Sequence, residues 1–599
     1  MCGVAGHFAY GRDAPPTDPS ALERVADAMA SRGPDGSGAW RSGDGRVAFA
    51  HRRLAIIDLS ASGAQPMASA DGRYVITYNG EIYNFRDLRR ELEAEGRVFV
   101  SQSDTEVLLH LYDRDGENMV ERLRGMYAFA IWDGGQRGLF MARDPYGIKP
   151  IYYADDGRSV RFASQVKALL AGGGIDTRPA PAGHVGFFVF GYVPEPDTLY
   201  RGIRALPAGH TLWIDGDGPR APKKFFDIGD VLRGAGAGED SPPAADLLRE
   251  ALRDSVAHHM VADVPVGVFL SAGLDSTTIA ALASEHETEG IRAITLGFDE
   301  FKGTLSDEAP LAAQVAQHYG AVHDTRWVRR EDFVGEVERI TAAMDQPTID
   351  GVNTYFVSKA ASEAGLKVAL SGLGGDEIFG GYQSFIDIPR VVSALGPLRY
   401  APWLGRGIRV ISEPMIRRLC SPKYAGVLEY GSRPGDFYLL YRAVFPPWEL
   451  PKVLDPDLVR EGWRELAART RLEGTVDGLV TPRAIVAALE SSWYMRSQLL
   501  RDSDWAGMAH SLEIRVPLVD ASLLRRLAPL ITGPTPPDKR DMAAAPKKPL
   551  PDEVLNRPKT GFLIPVRDWL AADAGVPERG LRGWARMVYG AQAGTDLLV

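Results

Sequence analysis

The sequence predicts two successive domains of different fold class, a layered α+β domain followed by an α/β doubly wound domain with helical additions. Short apolar strands, turns and a few helices fill residues 2–218, whereas strands alternate with helices over residues 244–575. The chain has 599 residues, too many for a single hydrophobic core. A stretch rich in Gly, Ser and Pro separates the two patterns, and we predict a linker over residues 219–243 and a tail over residues 576–599.

The composition excludes several classes of protein. Apolar residues make up 45% of the chain and charged residues 24%, as in ordinary soluble globular proteins. The net charge of −10 offers no basic excess for phosphates, so we expect no nucleic-acid partner and no membrane partner. No apolar run reaches the length of about 20 residues that spans a bilayer, and the N-terminus lacks the features of a signal peptide. The chain has two cysteines, Cys2 and Cys420, which excludes a disulfide framework and cysteine-built zinc sites and favours a cytoplasmic location.

Several segments of the first domain carry clear secondary-structure patterns. Short runs rich in β-branched and aromatic residues predict strands, and apolar residues at helical spacing predict helices. The predicted strands include Arg46–His51, Tyr74–Tyr78 and Tyr127–Trp132, and the predicted helices are Ala21–Ser31, Phe85–Glu95 and Asp104–Asp113. This mixture, with mostly antiparallel hairpins, indicates a layered α+β domain.

The second domain begins with an amphipathic helix and continues as an alternation of strands and helices. The predicted elements are helix Ala244–His259, strand Val266–Leu270, a helix ending at Ala283, strand Arg292–Gly297, helix Ala309–Tyr319 and strand Val368–Ser371. Such alternation indicates a parallel, doubly wound sheet. Residues 385–530 are predicted to be mostly helical.

Cys2 is the first candidate for catalysis, because removal of Met1 would leave it with a free α-amino group. That amine has an ordinary pKa of about 8 and can accept the thiol proton within the same residue. The nucleophile and its base then need no separate histidine. The structural alternative is that position 2 merely tolerates a small residue.

Three polar features follow in the same domain. Arg53 ends a strand and could clamp a carboxylate bidentately, or form a surface ion pair. Asn79 and Gly80 could form an oxyanion hole from a side-chain amide and a backbone amide, or a hairpin turn. Asp104 opens a helix, where it could hold an ammonium group or take part in an N-cap.

These residues belong to a longer ordered set of motifs. The set comprises Cys2-Gly3, Arg32-Gly33-Pro34-Asp35, His51–Asp58, Asn79-Gly80-Glu81, Ser103-Asp104, Gly125–Ala130 and Arg143–Pro150. It resembles the class II glutamine amidotransferases, whose glutaminase domain has the N-terminal nucleophile fold of four αββα layers. The resemblance implies that Cys2 attacks the glutamine amide while Asn79 and Gly80 stabilise the oxyanion. It also implies that Arg53, Glu81 and Asp104 hold the amino-acid end of glutamine.

A loop of small residues, Ser271–Thr277, follows the strand Val266–Leu270 and begins a helix. Backbone amides in such a loop can approach a phosphate, and the helix N-terminus adds positive potential, although a capped turn is the structural alternative. The loop lacks the Gly-Lys of a Walker A motif, and its Ser-x-Gly-x-Asp-Ser pattern is similar to that of ATP pyrophosphatases. A second Gly-rich loop, Ser371–Tyr382, follows a strand and should lie at the same sheet edge. Asp275 and Asp376 could therefore share a Mg²⁺ ion.

Two further motifs, Ser511–Asp520 and Arg557–Phe562, complete the pattern of this domain. It resembles the ATP-pyrophosphatase synthetase domain of glutamine-hydrolysing asparagine synthetases of the bacterial B type. The resemblance implies that Asp275 and Asp376 bind Mg²⁺ and that Lys539 stabilises the adenylation transition state, a surface lysine being the alternative. The implied ATP-binding residues are Leu270, Ser271, Gly273, Asp275, Ser276, Leu296, Ser371 and Gly372.

Three residues depart from that family's pattern. Ala272 replaces a loop glycine, which is costly if the residue has a positive φ. Gln165 stands where Glu is usual. Leu373 replaces a Glu that is thought to help form the β-aspartyl adenylate or take a proton from ammonia, and leucine offers no proton acceptor. This last departure leaves the identity of the acceptor open.

The activity that the two resemblances imply is synthesis of asparagine from glutamine, ATP and aspartate. Leu373 motivates an alternative in which the same two-site chemistry amidates a different carboxylate in a specialised pathway. A catalytically idle scaffold is a third hypothesis, against which the intact Cys2, Asn79, Asp275 and Asp376 count. Enzymes that join the same glutaminase domain to sugar-phosphate modules are disfavoured because they lack the Ser-x-Gly-x-Asp-Ser loop. Relatives of this kind are commonly dimers, so a homodimer is expected.

Overall fold

The protein is described by a computed structural model that covers residues 2–236, 243–287, 290–304, 306–558, 565, 569 and 581–598. Within these ranges no helix combines the length and apolar character that crossing a membrane would require.

The first domain consists of short strands with a few helices. The strands are β1 Gly3–Ala9, β2 Gly36–Arg41, β3 Val47–Arg53, β4 Met67–Ala68, β5 Tyr74–Ile82, β6 Gly125–Asp133, β7 Gly138–Arg143, β8 Tyr152–Asp155, β9 Ser159–Ala163, β10 Arg204–Ala205, β11 His210–Asp215, β12 Gly218–Pro219 and β13 Lys223–Lys224. The helices are α1 Pro19–Asp27, α2 Phe85–Ala94, α3 Asp104–Asp115, α4 Val166–Gly172, α5 Pro181–Phe190 and α6 Ile228–Arg233.

Two antiparallel sheets face each other in this domain. One has the order β10-β8-β9-β1-β3-β2, and the other has the order β12-β11-β7-β6-β5-β4 with β13 beside β11. Apolar side chains from the inner faces, such as Phe8, Phe49, Val75 and Met141, form the core between the sheets. Helices α1 and α4 cover the first sheet and helices α2 and α3 the second. The predicted four-layer αββα domain is therefore confirmed.

Two boundaries in this region differ from the sequence predictions. Helix α1 ends at Asp27, and the predicted continuation to Ser31 is instead a separate 3₁₀ turn over Ala30–Arg32. The predicted linker over residues 219–243 contains β13 and α6, because Asp227 caps α6 and β13 pairs with β11. Residues 237–242 of that predicted linker lie outside the described residues.

The second domain is larger and mostly helical. Its strands are β14 Val266–Phe269, β15 Arg292–Phe298, β16 Val322–Val328, β17 Val368–Leu370 and β18 Glu513–Arg515. Its first helices are α7 Ala244–His259, α8 Leu274–Ser284, α9 Ala309–Tyr319, α10 Arg330–Ala343, α11 Val352–Glu363, α12 Gly375–Phe379, α13 Ser384–Leu395, α14 Pro402–Leu419 and α15 Val427–Tyr430. They are followed by α16 Pro434–Arg442, α17 Pro456–Leu466, α18 Ala468–Val476, α19 Pro482–Leu489, a π-helix over Glu490–Leu500, α20 Arg501–Met508, α21 Ala521–Thr532, α22 Lys539–Ala543, α23 Asp552–Leu555 and α24 Leu581–Ala593.

The strands of this domain form one parallel sheet in the order β16-β15-β14-β17-β18. The order runs outward in both directions from β14, so the topological switch point lies between β14 and β17. Ligands of open α/β sheets bind at the carboxyl ends of the strands beside such a point. The two predicted loops, after Leu270 and after Leu370, begin at this place, and the predicted doubly wound fold is confirmed.

Helix α5 of the first domain packs against the helical part of the second domain. Every one of its residues from Pro181 to Phe190 is buried, and the helix packs against α17. A helix whose side chains are nearly all apolar requires such complete coverage, and its one polar side chain, His184, is hydrogen-bonded to Tyr589 and to the Leu199 carbonyl oxygen. The helical additions over residues 385–500 thus share a core with the end of the first domain.

Candidate functional site

Cys2 lies at the start of β1, a central strand between β9 and β3. Its backbone nitrogen donates a hydrogen bond of 2.8 Å to Oδ1 of Asn79, and its Sγ lies 4.0 Å from the carbonyl oxygen of Leu54. The side chain is buried, and this burial raises the pKa of the thiol above its ordinary value. A base close to Sγ is therefore needed to generate the thiolate.

Asn79 and Gly80 lie inside strand β5, paired with β6, and the alternative prediction of a hairpin turn is wrong. Asn79 is fully buried, and its Nδ2 has no hydrogen-bond partner among the residues that the structure describes. Gly80 has φ of +156°, and a Cβ there would come within 2.1 Å of the Met126 carbonyl oxygen. A buried amide donor without a partner thus lies next to Cys2, where an oxyanion would form.

Arg53 ends β3, close to Cys2 because β3 pairs with β1. Its guanidinium donates to the carbonyl oxygen of Ser60 at 3.0 Å and also to that of Asp58. Arg53 therefore holds the loop that follows β3, and the alternative of a surface ion pair does not describe its contacts.

Asp104 is the first residue of α3, and its carboxylate points back toward β5. Its Oδ2 accepts hydrogen bonds from the Tyr78 hydroxyl at 2.9 Å and from the Ile82 amide at 3.0 Å. The N-cap is Ser103, whose hydroxyl accepts from the Thr105 amide. Burial raises the pKa of Asp104 to about 6, so this carboxylate changes charge just below neutral pH.

Glu81 belongs to a buried cluster that joins the two domains. Its Oε2 lies 3.6 Å from Nη2 of Arg515, and Nε of Arg515 donates to Glu513 at 2.7 Å. Arg515 also donates to the carbonyl oxygens of His259 and Val261. Burial, together with the charge of Glu513, raises the pKa of Glu81 well above its usual range.

Arg32 makes a second buried link, which the sequence analysis did not assign. Its Nε donates to the Cys2 carbonyl oxygen at 3.0 Å, and its Nη atoms pair bidentately with Asp504 at 2.7 and 2.9 Å. Arg32 is fully buried. Cys2 of the first domain is thus connected through a single side chain to helix α20 of the second.

The two phosphate-type loops lie against each other at the switch point. The Ser276 hydroxyl accepts from the Ser271 amide at 3.1 Å, which closes the first loop. A Cβ on Gly372 of the second loop would lie 2.8 Å from the Cβ of Asp275. Together they border a cavity of about 250 Å³ whose lining includes Leu270, Ser271, Asp275, Ser276, Leu296, Ser371, Gly372, Leu373 and Asp376.

Gly273, the N-cap residue of α8, is the one predicted ATP-binding residue that does not line this cavity. Ala272 has φ of +52° and is fully buried. The strain expected for a Cβ in this conformation is therefore present, and it typically costs about 1 kcal/mol. Nothing in the structure explains Gln165, which is buried before α4.

Lys539 lies between the two predicted magnesium ligands. Its Nζ contacts the Asp275 carboxylate and lies 2.8 Å from Oδ1 of Asp376. Burial lowers the pKa of this ammonium, but the charges of Asp275 and Asp376 outweigh burial and leave the pKa raised. Lys539 is thus a partly buried cation at the loop edge, and the alternative of a surface lysine is wrong.

The same residues can be tested for their fit to Mg²⁺. The described residues contain no cluster of three or more His, Cys, Asp or Glu that could hold a metal by itself. Asp275 and Asp376 nevertheless converge on one point, at the ammonium of Lys539. Mg²⁺ is commonly bound by one or two carboxylates together with substrate phosphates. The pair therefore fits an ion that arrives with a nucleotide.

The far wall of the cavity is acidic. It carries Asp350, Glu377 and Asp502, and no Lys, Arg or His occurs among the described residues that line the cavity. Burial is the main cause that raises the pKa of Glu377 and that of Asp502 to about 8. Glu377 Oε2 is buried without a partner among the described residues. Glu377 and Asp502 therefore hold their protons at neutral pH, and a nearby ammonium group would favour their ionised forms.

The buried link between Arg32 and Asp504 gives a stability prediction. We expect Asp504→Asn to lower the free energy of unfolding by about 3–5 kcal/mol, because it leaves a buried guanidinium without its counter-charge. The matched control is Lys367→Gln, which breaks the more exposed 2.7 Å pair with Asp35 across the same two domains. That change should lower stability by less than about 1 kcal/mol. Urea unfolding of both variants measures the difference, and equal effects would contradict the assignment.

Comparison with known proteins gives the following matches. A family model described as a glutamine amidotransferase domain matches residues 1–226, and one described as asparagine synthase matches residues 247–579. A Mycobacterium tuberculosis H37Rv protein, provisionally named as a glutamine-hydrolysing asparagine synthetase, is 36% identical over 96% of this chain and 89% of its own length. Asparagine synthetase [glutamine-hydrolyzing] 1 of Bacillus subtilis is 32% identical over 95% of this chain and 88% of its own. Asparagine synthetase B of Escherichia coli K12 is 33% identical over 65% of this chain and 66% of its own.

The last predicted motif, Arg557–Phe562, is described only in part, because Lys559 to Phe562 lie outside the described residues.

Proposed function

The chain belongs to the asparagine synthase family and carries an N-terminal glutamine amidotransferase domain, and from this premise we propose that it is a glutamine-dependent asparagine synthetase. Glutamine is hydrolysed to glutamate and ammonia in the first domain. In the second, aspartate and ATP form β-aspartyl-AMP and pyrophosphate. Ammonia then displaces AMP and gives asparagine. The comparisons do not favour a different acceptor.

The glutaminase half uses Cys2 as nucleophile. With Met1 removed, the α-amino group takes the thiol proton, and the thiolate attacks the side-chain amide of glutamine. Asn79 Nδ2, which has no partner among the described residues, and the backbone amide of Gly80 would stabilise the tetrahedral oxyanion. Collapse releases ammonia and leaves a thioester, which water hydrolyses to glutamate. A reduced thiol at position 2 suits a cytoplasmic enzyme.

The amino-acid end of glutamine would be held by charged groups around Cys2. Arg53 can reach the α-carboxylate, and Asp104 provides a carboxylate for the α-ammonium. The charge of that ammonium would also favour the ionised form of Glu81, whose pKa is raised by burial. Glutamine must then compete for contacts that Arg53 now makes to the carbonyls of Asp58 and Ser60.

The observation that carries the proposal is that the two sites share structural elements. In α20, Asp504 binds Arg32, which holds the Cys2 carbonyl, and Asp502 lines the synthetase cavity two positions away. In β18, Arg515 faces Glu81 while Ile514 lines the same cavity. Helix α20 and strand β18 thus each contribute residues to both sites, and we infer that ammonia released at Cys2 passes between these elements to the synthetase cavity. Transfer inside the protein keeps it unprotonated, as a nucleophile must be.

The synthetase half would bind ATP at the switch point. The loop at Ser271 and the start of α8 receive the phosphates, and the apolar side chains of Leu270 and Leu296 border the space for the base. Mg²⁺, held by Asp275 and Asp376, would neutralise phosphate charge and orient the pyrophosphate. Lys539 supplies a positive charge at the same place, where charge develops when the α,β bond breaks.

Aspartate would occupy the remaining part of the cavity, against its acidic wall. The ammonium of aspartate would favour the ionised forms of Asp350 and Asp502, which can then hold it. Glu377 has a pKa of about 8 and can take the proton that ammonia loses only in its carboxylate form, whose fraction grows as the pH rises toward 8. These groups would do the work for which Leu373 has no proton acceptor.

A pH prediction follows from Asp104. Its pKa is about 6, so it is neutral below that pH and anionic above it. The neutral acid cannot attract the glutamine ammonium, and this group should lower kcat/KM for glutamine by about tenfold per pH unit below pH 6, in addition to the loss caused by protonation of the Cys2 α-amino group. Asp104→Asn should lower kcat/KM by at least about tenfold at pH 8 and make the pH profile below pH 6 shallower by about one power of ten per unit. An unchanged slope below pH 6 in the Asn variant would contradict this role of Asp104.

The experiment that tests the function is pyrophosphate release from the purified enzyme with ATP, Mg²⁺ and glutamine. Release is expected only when aspartate is present, with asparagine formed in equal amount. Glutamine hydrolysis without aspartate-dependent pyrophosphate would contradict the asparagine assignment. Absence of both activities, with Met1 shown to be removed, would contradict the enzyme assignment altogether.

A further inference from the structure

Helix α14, Pro402–Leu419, exposes a continuous apolar stripe on the surface of the second domain. The stripe consists of Leu404, Ile408, Ile411, Met415 and Leu419, whose spacing of three or four residues places them on one helical face. Their exposed fractions range from 39% to 83%. Soluble proteins seldom leave so many large apolar side chains together in water.

An adjacent face of α14 already packs on the protein. Gly405 is buried, and a Cβ there would lie 2.5 Å from the carbonyl oxygen of Leu428. Arg409 on this side pairs with Glu429 of α15. The exposed stripe is therefore not the face by which the helix is attached to its own domain, and it is available to a partner.

Aromatic and basic side chains surround the stripe. Tyr400, Trp403 and Tyr424 are between 64% and 77% exposed. The helix carries four arginines and one acidic residue, Glu413; Arg409 is paired with Glu429, and the other three arginines are exposed, although the whole chain has a net charge of −10. An amphipathic helix with exposed Leu, Ile, Met and Trp beside arginines is typical of segments that lie in the interface of a membrane.

We propose that α14 docks the enzyme reversibly on an anionic lipid surface, with its apolar stripe among the acyl chains and its arginines at the headgroups. The charge of the helix selects this occupant. A second copy of the chain that met α14 through this stripe in a symmetric dimer would not contact the exposed Arg406 and Arg417, which lie on the opposite face of the helix. Lipid phosphates complement them instead.

The rest of the molecule limits the strength of this contact. Its excess of acidic residues repels an anionic surface, so attachment should be confined to α14 and should weaken as salt screens the arginines. The net charge of the whole chain predicted no acidic membrane partner. That net charge does not show that exposed arginines are concentrated on α14. No residue of α14 belongs to the glutaminase or synthetase sites, so the docking surface is independent of the proposed activity.

The test is co-sedimentation of the full-length protein with vesicles of phosphatidylcholine alone and of phosphatidylcholine with phosphatidylglycerol. We expect binding to the anionic vesicles, weaker binding to the neutral ones, and loss of binding at high salt. The double variant Ile411→Ser/Met415→Ser should bind anionic vesicles at least tenfold more weakly. Val480→Ser, which removes an exposed valine elsewhere, is the matched control and should bind as the wild type does.

A charge variant separates the two components of the contact. Arg417→Gln/Arg418→Gln should reduce binding to anionic vesicles and leave binding to neutral vesicles unchanged. Glutaminase activity should be the same in all variants, which shows that they are folded. The proposal is overturned if anionic vesicles do not bind the protein, or if the serine variant binds as well as Val480→Ser. It is equally overturned if sedimentation without lipid shows a dimer that the serine variant abolishes.

Discussion

Replacement of Cys2 by alanine is expected to abolish glutamine-dependent asparagine formation while ammonia-dependent formation continues. The change removes only the thiol group of Cys2, and covalent catalysis at the glutamine amide depends on that group. The loss should be at least about a thousandfold in kcat for glutamine. The synthetase cavity contains no atom of Cys2, so ammonium chloride at pH 8 should support near wild-type turnover.

The control for this variant is the chain's other cysteine. Cys420 follows α14 and is exposed, far in sequence from both sites, and Cys420→Ala should change neither activity. Asparagine formation is followed with glutamine and with ammonium as alternative nitrogen sources. Retention of glutamine-dependent activity by Cys2→Ala would exclude Cys2 as the nucleophile. Loss of the ammonia-dependent activity would show that the substitution disturbs the second domain.

Lys539→Met should have the complementary effect, with loss of pyrophosphate release and retention of glutaminase activity. Lys539 contacts Asp275 and lies 2.8 Å from Asp376, so it supplies positive charge where the triphosphate and its metal must sit. Removing one group that stabilises a transition-state charge costs about a hundredfold or more. Methionine has about the volume of the aliphatic part of the lysine side chain, so we expect the packing of α22 to be unchanged.

Lys547 offers a matched control, because it is an exposed lysine a few residues after α22. Lys547→Met should leave pyrophosphate release unchanged. Both variants are assayed for aspartate-dependent pyrophosphate and for glutamate formation. If Lys539→Met releases pyrophosphate at the wild-type rate, Lys539 is a structural partner of the two aspartates and has no part in adenylation.

The fold was largely predictable from local pattern. Helices α7 and α9 begin and end where apolar periodicity and flanking residues predict, because their signals lie within the helix itself. Asn79-Gly80 was harder, since the dipeptide favours turns in isolation, whereas here pairing of β5 with β6 holds it in a strand. Pairing with a neighbouring strand therefore determines whether this dipeptide forms a turn or part of a strand.

The residues that join the two sites were not predictable in the same way. Arg32 and Asp504 are 472 positions apart, and no local pattern indicates that they form a pair. Arg515 lies in a motif used for the resemblance, yet its contact with Glu81 depends on how the domains dock. The apolar stripe of α14 was visible in the sequence only as helical content, because exposure is a property of the folded surface.

The most direct test of the central claim, that one chain couples glutamine hydrolysis to amidation of aspartate, uses glutamine labelled with ¹⁵N at its side-chain amide. The enzyme turns over with ATP, Mg²⁺ and aspartate in the presence of an equal concentration of unlabelled ammonium, and the product is analysed by NMR and mass spectrometry. The account predicts asparagine whose side-chain amide carries ¹⁵N almost completely, with one pyrophosphate released per asparagine. Asparagine whose label is diluted by the bath ammonium, or the absence of labelled asparagine, would contradict it.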